Sequence, residues 1–276
     1  MTGPSAREGA GAAGPSLREL ALGGRPLSGL GVIDNHCHIG PYAGFYQPRP
    51  DADAMVRTMD RLGVERACVF STLAVTSDMR GGNDLSLAAA RAHPDRLLAY
   101  AVPDPNRPDE VADELRRCLD AGAVGIKFHT QLHNYPFDGP NYEPAFALAQ
   151  RHHLPLISHG VGSAETLRRI ARAHPNAHFI VAHAGARGAW PIVEPIPRLA
   201  VEEPNVYLDL ASSVARFGDF AAMVRAVGAG KLLWGSDYLW MCPTHQIGRV
   251  LLCPIAEEEK LLILGRNMAR LLATRR

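Results

Sequence analysis

"GVIDNHCHIG", residues 31–40, is an apolar run that ends in two histidines separated by one residue. In a β-strand, positions i and i+2 face the same side, so His36 and His38 project together and Cys37 points the other way. Seven further runs of the same kind follow: "RACVFST", "LLAYAVPDP", "AVGIKFH", "LPLISHG", "HFIVAHAG", "NVYLDLASS" and "KLLWGSDY". Between them lie segments with helical spacing, such as Asp51 to Gly63, Pro108 to Gly122 and Glu143 to His153. Strands that alternate with amphipathic helices imply repeated βα units around parallel strands. Eight units in the length available predict an α/β fold of the (β/α)8 TIM-barrel type, in a single domain. The rival doubly wound sheet would often carry a Gly-rich phosphate loop after an early strand, and neither common form of that loop is present.

Composition agrees with a compact globular body. The 276 residues are 47% hydrophobic and 21% charged, with a formal net charge of +1, which gives no broad field for nucleic acid or anionic membranes. Five cysteines, with no Cys-x-x-Cys pair, fit neither a disulfide framework nor a zinc ribbon and suit a reducing cytoplasm. Residues 1–28 read as a flexible leader, with a small structured cap as the alternative, and residues 29–276 as the barrel domain. The phrase "ARAHP" occurs at Ala90 to Pro94 and again at Ala171 to Pro175, which marks His93 and His174 as helix stops.

In a barrel the chemistry sits at the C-terminal ends of the strands and in the loops that follow. The first run ends in His36 and His38, the fourth in Lys127 and His129, the fifth in His159, the sixth in His183 and the eighth in Asp237. Imidazoles with a carboxylate are a metal-type donor set. The loops add aromatic residues: Tyr42, Phe45 and Tyr46 after the first strand, Tyr135 after the fourth, Trp190 after the sixth, Trp240 after the eighth. Arg187 is a candidate carboxylate clamp, because a guanidinium binds such groups bidentately. Cys37, facing the helices, reads as a packed thiol rather than a nucleophile.

The segments "IDNHCHIG", "AVGIKFHT", "PLISHG", "FIVAHAG", "LLWGSDY" and "ILGRNMARLL" together resemble the amidohydrolase superfamily, in its amidohydrolase-related branch of metal-dependent hydrolases and decarboxylases. The resemblance implies that His36, His38, His159 and Asp237 are metal ligands. It gives catalytic roles to Asp237 and His183, and to Lys127 either a positive charge for substrate or, when carboxylated, a bridge between two ions. The expected cofactor is a divalent cation, zinc first and one ion rather than two, with manganese and iron as acceptable substitutes. His129, Arg187, Tyr42, Tyr46 and Trp240 are the expected substrate contacts.

The expected activity is hydrolysis of a small amide, lactone or cyclic amide, possessing a carboxylate in some cases, by metal-activated water. The alternative is non-oxidative decarboxylation of an aromatic or dienoic acid. A nuclease branch with a similar first motif places a glutamate on strand four, where this chain has Lys127 and His129, which argues against it. The partner expected is a small molecule, with no nucleic acid or membrane, and a homodimer left open.

Overall fold

The structure is a computed structural model that describes residues 14–185, 195–216 and 218–276. The strands are β1 (Ile33–Ile39), β2 (Arg66–Ser71), β3 (Leu97–Ala101), β4 (Gly125–His129), β5 (Pro155–His159), β6 (His178–Val181), β7 (Val206–Asp209) and β8 (Leu232–Leu233). They pair in parallel and in sequence order. The Asn35 N–H donates to the Trp234 carbonyl at 3.1 Å, and Cys37 bridges to Tyr238, so the last strand meets the first and the sheet closes as a (β/α)8 barrel. All eight strands expected from the sequence are present. Parallel strands covered by helices on the outside are buried, which is why their sequences read as continuous apolar runs.

Local chemistry sets the helix ends. Asp51 accepts the Ala54 N–H at the start of helix Ala52–Leu62, and Gly63, at φ 73°, turns the chain out of it. His93 and His174 are the C-caps of helices Met79–Ala92 and Ala164–Ala173, as the repeated phrase implies. Two apolar layers result. Residues such as Cys37, Met55, Val69, Phe128 and Val181 pack between strands and helices. Ile33, Phe70, Tyr100, Ile157, Ile180 and Leu233 belong to a second cluster, joined by Met268 and Leu271 of the last helix, Asn267–Ala273.

Within the stretch read as a leader, for which a small structured cap is the alternative, residues 17–28 pack against the barrel domain. Leu17–Leu22 is a helix with a Ser16–Glu19 capping box, the Leu17 N–H donates to Glu257, and Leu17 and Leu27 are buried. Burying those two leucines and completing the cap offsets the entropy of ordering the segment. Residues 1–13 of that expected leader lie outside the described residues.

The end of the chain is fitted closely to its beginning. A Cβ on Gly265 would stand 1.9 Å from the Gly31 carbonyl oxygen. Gly265→Ala therefore forces the closing segment away from β1, with an expected loss of about 1–3 kcal/mol. Urea unfolding of the variant beside the parent measures it, and equal midpoints would contradict the contact.

Candidate metal centre

The first strand aims its histidines through an irregularity. Simple alternation from Ile33, which joins the inner cluster, would send Asn35 and Cys37 inward. The register with β2 shifts between Asp34 and Cys37, and beyond the shift His36 and His38 lie against Phe70 of the inner cluster while Cys37 packs with the outer one. Burial pushes the Cys37 thiol well above its usual range, as expected of a packed thiol.

His36 is held from behind. Its Nδ1 lies 2.8 Å from Asp209 Oδ2, and that carboxylate also accepts the His183 and Ala211 N–H groups and the Asn35 amide. A carboxylate on Nδ1 fixes the proton there and leaves a lone pair on Nε2. The Nε2 lies 3.4 Å from Asp237 Oδ1 and 3.2 Å from Lys127 Nζ, and His38 Nε2 lies 3.1 Å from the same Asp237 oxygen. Desolvation holds both imidazoles below the ordinary histidine range, His38 at about 4, so both are neutral near pH 7. Burial also brings Lys127 down to about 8, with Asp237 and Asp209 opposing it. For Asp237 burial pushes the other way, upward, and the His36 and His38 rings facing the carboxylate outweigh it and keep it low.

Asp237 and His183 both occupy left-handed backbone, at φ 56° each. Such geometry is uncommon outside glycine and concentrates at functional positions. The His183 Nδ1 donates to the Ala211 carbonyl at 2.6 Å, which leaves its Nε2 as an acceptor. His183 and Asp237 line a cavity of about 330 Å³ together with His159, Phe45, Trp240 and Met241.

The remaining expected residues separate. His159 stands beside His183, ring centroids 4.8 Å apart, but its Nδ1 is 2.7 Å from His129 Nε2, and it falls outside the tight group of His36, His38 and Asp237. His129 is buried beside His159, where its Nδ1 accepts the Leu132 N–H, and it is not among the residues lining the cavity. Trp240 stacks on His38 with centroids 4.0 Å apart and planes 11° apart, and Tyr42 and Phe45 stack on Trp240 at 5.2 Å. Tyr46 is 92% exposed and lines a separate groove. Arg187 and Trp190 lie outside the described residues. Asp209 was not expected. Its signal is the "YLD" that ends β7, where Tyr207 faces inward and position i+2 follows it.

The donor set fits a divalent cation. Asp237 Oδ1 is shut from solvent without a hydrogen-bond partner, and an Nε2 lone pair of His36 is directed at it. Two electron-rich atoms so placed favour positive charge beside them, and the Lys127 ammonium at 3.2 Å from His36 Nε2 supplies only part of it. Two imidazoles and a carboxylate with further room suit a catalytic rather than a closed structural site.

A family model described as "Amidohydrolase" matches residues 33–274. A comparison with curated proteins finds no match by sequence. Solved structures with this fold include 2,6-dihydroxybenzoate decarboxylase from Rhizobium, 18% identical, with TM-score 0.69 over 88% of this chain and 98% of that one. Another is a dihydroxybenzoic acid decarboxylase from Polaromonas sp. JS666 with bound manganese and 2-nitroresorcinol, 18% identical, TM-score 0.69 over 88% of this chain and 97% of that one. A third is 5-carboxyvanillate decarboxylase from Novosphingobium aromaticivorans, complexed with manganese and a nitrobenzoic acid, 15% identical, TM-score 0.71 over 90% and 99%. The family match, running from β1 to the last helix and taking in each of the cavity histidines and Asp237, makes this chain a member of the amidohydrolase family.

Proposed function

We propose that the protein is a metal-dependent non-oxidative decarboxylase of a small ring-bearing acid with a hydroxyl group next to its carboxylate. The observation that carries this reading is the aromatic stack of Trp240 on His38, continued by Phe45, which makes a flat wall beside the candidate cation site. Solved relatives that act on dihydroxybenzoates and carboxyvanillate support it. Hydrolysis, the first expectation from the sequence, is the competing reading, favoured by the unpartnered Asp237 oxygen and the His183 acceptor nitrogen, a pair suited to holding a water.

His36, His38 and Asp237 would hold a divalent cation, which would supply fixed positive charge for an acidic substrate. Phe45, half exposed at the outer end of the stack, takes the ring face with Trp240 behind it, and Met241 and Val214 exclude water. His183 Nε2 accepts the hydroxyl proton and delivers it to the ring carbon that bears the carboxylate. The bond to the carboxylate then breaks, its electron pair restores the aromatic ring, and CO₂ leaves. The phenolate product takes its last proton from solvent. Lys127, at 3.2 Å from His36, adds positive charge beside the candidate cation site.

Manganese- or zinc-loaded protein is expected to release one CO₂ for each 2,6-dihydroxybenzoate or related acid consumed, with activity lost to a chelator and restored by metal. Turnover of lactones or amides with no CO₂ from any ring acid would replace this reading with hydrolysis. Trp240→Ala is expected to raise KM about three- to tenfold for ring acids, the worth of a lost stacking contact, and to change kcat less. An unchanged KM would remove the wall from the substrate site.

A further inference from the structure

A second groove, of about 370 Å³, lies on the other side of the loop that carries Phe45, and its walls include Tyr46, Gln47, Arg49, Arg57 and Arg61. We propose that this groove binds a phosphate group, carried by a small soluble molecule. Its charge has no internal counterpart. Arg57 and Arg61 lie four residues apart on helix Ala52–Leu62, a like-charge spacing that weakens a helix when nothing neutralises it.

The acids of the same helix are engaged elsewhere: Asp53 with His93 at 2.8 Å and Asp60 with Arg96 at 2.8 Å. Asp51 is used as the helix cap. Among the described residues, Arg49 and Arg57 have no acidic partner, and Arg61 donates only to Thr58. The groove wall also contains an unsatisfied amide, since both heteroatoms of the Gln47 side chain are shut from solvent without a hydrogen-bond partner.

Three guanidinium groups and an amide donor offer more hydrogen-bond donors than one carboxylate can accept, and they match the charge and the several oxygens of a phosphate. Tyr46, at the rim, offers a ring face to any planar group that the phosphate carries. The groove shares two loops with the catalytic cavity. Phe45 serves the cavity and Tyr46 the groove, while Asp237 and Trp240 serve the cavity and Tyr238 and Leu239 the groove. A ligand seated there bears on the loops that shape the aromatic wall.

Calorimetric titration of the full chain with inorganic phosphate, and separately with adenosine monophosphate, at matched chloride tests this. Saturable binding is expected, weakened at least about tenfold in Arg57→Gln/Arg61→Gln, both exposed helix positions where glutamine preserves the fold. Arginine-directed chemical labelling read by mass spectrometry should show Arg57 and Arg61 protected by phosphate. Equal affinity for the two probes identifies the phosphate alone as the recognised group; tighter nucleotide binding that Tyr46→Ala removes adds the ring. No saturation by about 10 mM of either probe, or full affinity in the double variant, overturns the proposal.

Discussion

Asp237→Asn is expected to lower turnover by about 10²–10⁴-fold and to strip the purified protein of its divalent metal, while its melting temperature stays near that of the metal-free parent. The separation of effects follows from the backbone. Asp237 sits at φ 56°, and asparagine accepts that conformation as readily as aspartate, so the loop need not move. What disappears is the charge on the one oxygen that faces both His36 and His38 Nε2. Metal analysis and turnover, measured on the same sample, decide the point. A variant that retained stoichiometric metal with full activity would show that the strand-eight carboxylate has no part in the centre.

The second large effect is expected at Asp209, which is fully buried behind His36. All its contacts come from donors: the His36 Nδ1 and His183 N–H on Oδ2, the Asn35 amide and the Ala211 N–H on Oδ1. Asp209→Asn must turn an NH₂ toward one of those pairs, leaving buried donors facing a donor at a cost of about 1–3 kcal/mol. It also frees the His36 ring to change tautomer, and metal affinity should fall about 10–100-fold, as for other carboxylates that orient a ligating imidazole. Competition with a fluorescent chelator measures the affinity, and an unaltered constant would mean that His36 is oriented by something else.

How far the sequence was readable depended on whether a signal was local. Each strand announced itself by a short apolar run between helix stops, and β8 was placed by "LLWGSDY" although only Leu232–Leu233 is regular strand. The convergence of His36, His38, His183 and Asp237 at one end of the barrel was legible because metal-type side chains stood at the ends of such runs. Asp209 was not, because an aspartate after "YL" resembles the polar end of any strand, and its importance lies in a contact with a residue far away in sequence. His129 ends a strand like the others, yet it pairs with His159 and is not among the residues lining the cavity. Tyr46 and Phe45 are neighbours that part to opposite sides of one loop, which composition alone does not reveal. The two buried leucines near the start, Leu17 and Leu27, were hidden in a stretch dominated by small and polar residues.

The junction where β8 meets β1 has a mechanical meaning. His36 and His38 come from one lip of that junction and Asp237 from the other, so an ion shared among them would act as a clasp on the ring of strands. Occupancy at a hundred times its dissociation constant would add about 2.7 kcal/mol against opening. Chelation should then loosen the cylinder along this edge first, and amide exchange in both lips would record it.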